Sequence, residues 1–424
     1  MIIRGRIFIE RGIFPGSPNP IGTACYFKEV RMKRACRIIG VPILFALFST
    51  QAAQAQWTTA KRLTWNSGQS RMPSVAIDSS DDLHVVWQDE TSGNAEIYYK
   101  RSEDAGAHWT PAERLTWTTA QSSAPAIAAY PFNVLHVVWS DNTTGNFEVY
   151  YKKSPDGGLT WNQTKRLTWN SGNSMCPGMA VDFKTDVHVI WHDDTPGNYE
   201  IFYKKSTDGG ATWGTAERLT WNSGHSMYPA IAAAAIDPSV GIHVVWHDES
   251  PGLPEIYYKG SSDGGETWSA AKRLTWNSVE SYDPAIAIDS VHNIHVLWSD
   301  DTPDNYEIYY RRSEDGGKTW KPAQRLTWNA DGSYEPAVAI DPDDTIHVVW
   351  DQGPMTNTEI YYTSSTDGGG TWSAVQRVTW TSLHSYGPAM AIMPYVWTYH
   401  VVHLVWYDDT PGNFEIYHKT QEKY

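Results

Sequence analysis

Seven short apolar runs in this chain begin with proline, and the residues just ahead of each proline carry its most varied chemistry. The two preceding residues read Arg71-Met72, Ser123-Ala124, Met175-Cys176, Met227-Tyr228, Tyr282-Asp283, Tyr334-Glu335 and Tyr386-Gly387. Two positions further back stand Gln69, Gln121, Asn173, His225, Glu280, Gly332 and His384. Arginine can clamp a carboxylate through two parallel hydrogen bonds. Tyrosine offers an apolar face with a polar tip, and histidine exchanges protons near neutral pH. If these side chains converge, they form an asymmetric mouth for a polar ligand. If they do not, they are exposed loop residues free to drift.

Other polar positions do not vary. Serine stands three residues before every proline: Ser70, Ser122, Ser174, Ser226, Ser281, Ser333 and Ser385. Each copy also has a His opening an H-V-V-W-like run and a Glu opening an E-I-Y-Y-like run, as at His188 and Glu200. An Asp follows two residues after the Trp in six copies, Gln352 being the exception. Two readings fit: seven equivalent sugar or ion sites, or a hydrogen-bond network pinning buried polar groups. The seven His lie one per repeat, too far apart to share an ion.

The elements that must position these residues follow from the repeat. R-[LV]-T-W begins at Arg62, Arg114, Arg166, Arg218, Arg273, Arg325 and Arg377, at steps of 52, 52, 52, 55, 52 and 52. Each copy holds short β-branched and aromatic runs bounded by Gly, Pro, Asn and Asp, which read as strands. Four strands in about fifty residues predict one blade of an all-β propeller. A box recurs between the third and fourth strands: SEDAGAHW (102–109), SPDGGLTW (154–161), STDGGATW (206–213), SSDGGETW (261–268), SEDGGKTW (313–320) and STDGGGTW (365–372). Its Asp can accept hydrogen bonds from its own turn, its glycines tolerate positive φ, and its Trp anchors the returning strand. The box reads as architecture. The seventh copy stops before its box, and 57–65 is a fourth strand without the first three. Residues 57–65 are therefore expected to complete the blade made by 388–419, closing a seven-bladed ring with an N-terminal strand.

Residues 1–55 read differently. Met32 opens a better start, with Lys33, Arg34 and Arg37 ahead of an apolar run from Ile38 to Phe48 and then Ala53-Gln54-Ala55. That is the layout of a secretory signal peptide behind an upstream extension, with mature protein expected from Gln56. The apolar run is too short for a stable membrane span. The expected location is secreted or periplasmic. Loss of 1–55 removes eight basic and two acidic residues, leaving 25 Lys+Arg against 46 Asp+Glu. So acidic a surface repels phosphate backbones, which excludes nucleic acid as the expected partner. Cys176 is then alone, and no intrachain disulfide is possible. A monomer is compatible with all of this.

The box S-x-D-x-G-x-T-W resembles the Asp-box (BNR) repeat of the sialidase (neuraminidase) superfamily, over nearly all of 57–424. The resemblance implies ligands at the face opposite the boxes, where the residues before each proline lie. "SRMPSVAI" (70–77) is similar to the Arg-Ile-Pro motif of sialidases, in which an Arg helps clamp a sugar carboxylate. A sialidase needs three such arginines, and Arg71 is the one arginine that falls at the mouth. Tyr334 with Glu335 as nucleophile pair and Asp89 as acid are conceivable, but neighbours on an extended segment face opposite ways. A propeller polysaccharide lyase would draw on Arg71, His225, His384 and Tyr386, with Tyr or His as base. The superfamily also includes lectins and protein-binding propellers. The first reading is a binding module for glycans or another polar extracellular ligand, with a sialidase-like glycosidase, a lyase and a protein scaffold as alternatives. Its ligand residues would be Arg71, Asp89, His225, Tyr228, Tyr282, Asp283, Tyr334, Glu335, His384 and Tyr386. No cofactor or metal is expected, although carboxylate-rich turns such as "DPDDT" (341–345) are of a type that can bind Ca²⁺.

Overall fold

The computed structural model describes residues 56–424, except 130–131, 235–240, 277, 303–304, 355, 393–399 and 423–424. The expected processing site and everything before it lie outside the described residues. Seven four-stranded antiparallel sheets follow one another. Blade 1 is built from Ser70–Ile77, Leu83–Asp89, Glu96–Ser102 and Glu113–Arg114. Each first strand touches the first strands of both neighbouring blades, and the last touches the first, so the first strands line the axis.

The ring closes as expected. Lys61–Arg62 is the fourth strand of blade 7, pairing Lys61 with His418 and Arg62 with Tyr417. Leu63 N donates to Ile416 O at 2.7 Å, and Thr58 N to Thr420 O at 2.8 Å. Arg62 meets the buried Glu415 at 2.7 Å. The same Arg–Glu pair recurs within every other blade, at 2.5–2.8 Å. The closing strand thus uses the repeat's own bonds.

Apolar burial lies between blades. Each of seven cores draws on two neighbours, as where Trp191 and Val189 of blade 3 meet Val138, Tyr151 and Leu167 of blade 2. The closing core packs Leu63, Val405 and Ile416 against Val75, Leu83 and Trp87. A ring built this way has no end blade with an uncovered apolar face, and closure removes that hazard.

The repeated polar residues form the pinning network. Asp89 accepts from Ser70 Oγ (2.8 Å), Asn66 Nδ2 (2.7 Å), Trp87 Nε1 (3.0 Å) and Thr91 N (2.9 Å). At the exceptional copy Gln352 Oε1 takes the same place, with bonds from Asn329 and Trp350. In blades 1–6 the strand-two His meets a strand-three Tyr hydroxyl at 2.6–2.8 Å. In blade 7 the partner is His418, 3.2 Å from His403.

The boxes rivet neighbouring blades. Asp208 accepts from Ser206 Oγ (2.8 Å), Thr212 Oγ1 (2.6 Å) and Thr212 N (2.7 Å). The Tyr151 hydroxyl of the preceding blade lies against Gly210, where a Cβ would fall 1.8 Å from it, at φ +84°. Trp213 then packs edge-on against the Tyr151 ring, at 5.0 Å.

Candidate functional site

At the end of the ring opposite the boxes, every first strand breaks register. In blade 1 the pairing runs Ser70↔Asp89, Arg71↔Gln88 and then Ser74↔Val86, and the same shift occurs in all seven blades. The residue before proline adopts positive φ each time: Met72 54°, Ala124 51°, Cys176 51°, Tyr228 50°, Asp283 59°, Glu335 50° and Gly387 56°. That region is uncommon for residues with a side chain, and a following proline disfavours helical backbone as well. Such bulges re-aim side chains. The strict alternation expected for Tyr334 and Glu335 does not hold at a bulge.

The bulged segments assemble an aromatic arc. Tyr228 lies between His192 and His247, with ring centroids 5.4 Å from each. Tyr282 meets His247 edge-on at 5.0 Å, and Tyr306 connects Tyr282 (6.3 Å) to Tyr334 (5.1 Å). A second run joins His384, Tyr386, Tyr407 and Phe414 at centroid distances of 5.1–5.9 Å. It ends on Arg71, whose guanidinium lies 4.7 Å over the Phe414 ring. Glu335 and Asp351 act electrostatically on Tyr407 from the neighbouring blade, and Arg71 acts on it with the opposite sign. Burial, the dominant cause, holds the Tyr407 phenol well above its ordinary range. Blade 2 contributes only Ser123, Ala124 and Ser140 at the equivalent places, so the arc is lopsided.

Arg71 differs from every other described arginine. Each of the other ten has a carboxylate or carbonyl acceptor. Among the described residues Arg71 has no hydrogen bond or ion pair, and its Nε is buried without a partner. A guanidinium held over a ring, with no acceptor among the described residues, keeps its hydrogen-bond donors available.

The histidines present a donor. Tyr199 N donates to His225 Nδ1 at 3.1 Å, Thr358 N to His384 Nδ1 at 3.3 Å and Tyr228 N to His192 Nδ1 at 3.3 Å. Each bond uses the Nδ1 lone pair, so the neutral ring carries its proton on Nε2. Burial lowers His192 to about 4, which keeps it neutral at pH 7. His225 and His384 also do what Asn173 and Gln69 do elsewhere, accepting from the backbone N of Phe147 and Phe414.

Of the residues singled out from sequence, Arg71, Tyr228, Tyr282, Tyr334, Glu335 and Tyr386 belong to this arc, and Asp283 occupies the same bulged position. Asp89 is fully buried with its carboxylate saturated, so it belongs to the pinning network. His192, His247, Asp351 and Tyr407 were missed. They occupy the residue after the strand-two Trp, which reads Gln88, Ser140, His192, His247, Ser299, Asp351 and Tyr407 down the copies. Its variability between a repeated Trp and a repeated Asp was the available signal. Away from the mouth, Asp341, Asp343 and His400 place ligand-type atoms within 4.8 Å of one another. Asp341 already accepts from Asp343 N, Thr345 N and His347.

No protein-family model matches the sequence, and no curated relative does. Solved structures do match. An α-L-arabinanase of Penicillium chrysogenum, complexed with arabinobiose, gives a TM-score of 0.52 at 14% identity, over 87% of this chain and 98% of that one. An ulvan lyase of a polysaccharide lyase family gives 0.55 at 9% identity, over 84% and 95%. A variant of the NanB sialidase of Streptococcus pneumoniae gives 0.47 at 12% identity, over 84% and 70%. The architecture they share with this chain is that of a β-propeller, here of seven blades. At these identities the likeness is one of fold, and function has to be argued from the site.

Proposed function

We propose that this protein is an exported, non-catalytic glycan-binding propeller whose mouth takes an acidic sugar. The observation that carries the reading is Arg71, a guanidinium stacked on Phe414 with no acceptor among the described residues, at the end of an aromatic arc. Tyr386, Tyr334, Tyr282 and Tyr228 supply faces for sugar rings, and Arg71 supplies a charge-assisted contact to a carboxylate. Binding is favoured over turnover for two reasons. A single arginine cannot reproduce a three-arginine clamp, and histidines with Nδ1 engaged are donors at Nε2, poorly set for proton abstraction. Structures of like fold contain arabinobiose and -[GlcA(1-4)Rha3S]-, which agrees with a saccharide ligand. Export follows from the signal-like stretch ending at Ala55.

A glycan array on the mature protein, followed by calorimetry on the best acidic glycan, tests this. Arg71→Ala should weaken binding by about 1.5–3 kcal/mol, or about 10- to 150-fold. Its melting midpoint should hold, because six blades manage without Arg there. Neither form should turn over a fluorogenic sialoside. Turnover in the parent that Arg71→Ala abolishes would replace this reading with a hydrolase.

A further inference from the structure

Among the described residues, seven tryptophans stand in water. Trp65, Trp117, Trp169, Trp221, Trp276, Trp328 and Trp380, the last letters of R-[LV]-T-W, are each 64–70% exposed. A scattered exposed aromatic needs no explanation, but seven at one repeated position are a pattern. Trp65 shows how they are mounted. Leu63 is buried in the core between blades, and Asn66 N donates to Glu415 at 3.2 Å, so the backbone on both sides of Trp65 is fixed. The Arg62 guanidinium lies 5.8 Å from the Trp65 ring centroid, and the Lys100 ammonium of the next blade lies 5.5 Å from it. Lys100 is itself anchored on Leu63 O at 2.6 Å. Double bracing recurs at Trp117, Trp169, Trp221, Trp276 and Trp380. Trp328 has only Arg325, because Thr363 replaces the lysine. Each Trp follows a fourth strand, the outer edge of its blade, and precedes the loop into the next first strand.

We propose that these tryptophans are a second set of binding sites, seven equivalent platforms on which the C–H faces of pyranose rings in a polysaccharide stack. Fixing an aromatic ring before the ligand arrives lowers the ordering cost of binding. Sevenfold equivalence matches a ligand that repeats itself, which a polymer does and a folded protein partner seldom does. Anionic membrane fits poorly, since residues 56–424 carry 46 acidic against 25 basic residues. The charged brace around every ring also breaks the rim into separate spots, where a dimer interface needs a continuous apolar patch. Weak platforms on one body add through effective concentration, so a chain can bind where a monosaccharide does not. The choice of a sugar polymer rests on the glycan-binding reading, but the rim can be read apart from the mouth.

The test is affinity electrophoresis of the mature protein in gels containing hydroxyethylcellulose, arabinoxylan or polygalacturonate. At least one polymer should retard the parent, and the triple variant Trp65→Ala/Trp169→Ala/Trp276→Ala should lower the apparent affinity at least fivefold. Its melting midpoint should stay close to the parent's. The triple variant should keep whatever acidic-glycan binding the parent shows in calorimetry, so failure at the rim is read apart from failure at the mouth. As a readout that needs no variant, the retarding polymer should slow N-bromosuccinimide oxidation of the seven rim tryptophans in the parent at least fivefold. The proposal is overturned if no polymer retards the parent, or if retardation survives the triple substitution with oxidation unprotected. It is equally overturned if the triple variant instead loses self-association in sedimentation or binding to phosphatidylcholine vesicles.

Discussion

Within three residues of blade 5 the chain passes from one kind of position to another. Ser281 is fully buried, pairs with Asp300 at 3.0 Å and has a counterpart in every blade. Tyr282 and Asp283 beside it sit on a bulge, where the residues change from blade to blade and Tyr282 recurs only as Tyr334 and Tyr386. The frame repeats because every blade must meet its neighbours in the same way around a closed ring. The mouth differs from blade to blade at seven bulges on the first strands, which line the axis. On the proposed function, stability and recognition fall to neighbouring residues, and they should be separable by experiment.

Breaking the ring should have the largest effect. A mature chain beginning at Asn66 loses the strand Lys61–Arg62, the Arg62–Glu415 pair and Leu63 from the closing core. It also exposes the edge of Glu415–Glu422, an aggregation-prone arrangement. Low solubility and a markedly lower unfolding midpoint are expected. A truncated protein as soluble and stable as the parent would show that the clasp contributes nothing.

The frame should also be sensitive to acid. Burial lowers His136 and His418 to about 3, and burial beside His418 lowers His403 well below its ordinary value. Below about pH 6.5 the unfolded chain binds protons at these sites that the folded chain refuses, so stability rises with pH there and falls on acidification. Stability from these groups is complete above pH 6.5 and drains away toward pH 3. Urea midpoints at pH 7, 5.5 and 4 should decrease in that order. His418→Tyr restores the His–Tyr pair of the other six blades and should flatten the decline.

The frame was legible in the sequence because seven copies repeat one answer. The missing seventh box and the unpaired strand at 57–65 together predict the closure. The mouth was legible only where copies differ at a position already suspected. Tyr407 and His247 were missed because each follows a strand Trp and reads as one more strand residue. Asp89 was drawn into the site through the sialidase resemblance, although its recurrence in six copies pointed to the frame. The bulge itself left no local signal. A residue before proline is expected to be extended, whereas all seven here take positive φ at a register shift.

That bulge gives the smallest and sharpest contrast. Glu335 holds φ +50° with a side chain, whereas its counterpart Gly387 holds φ +56° without one. Left-handed backbone costs a non-glycine residue about 1–2 kcal/mol, and glycine gives back about 0.5–1 kcal/mol through extra freedom in the unfolded chain. Glu335→Gly should therefore stabilise the protein by up to about 1 kcal/mol. The same change removes a carboxylate that faces Tyr407 and Tyr386, so the glycan preference of the mouth should shift. Stability that rises while preference changes is what a strained recognition residue gives. Equal destabilisation by Glu335→Gly and Glu335→Ala, with binding untouched, would move Glu335 out of the mouth and into the frame.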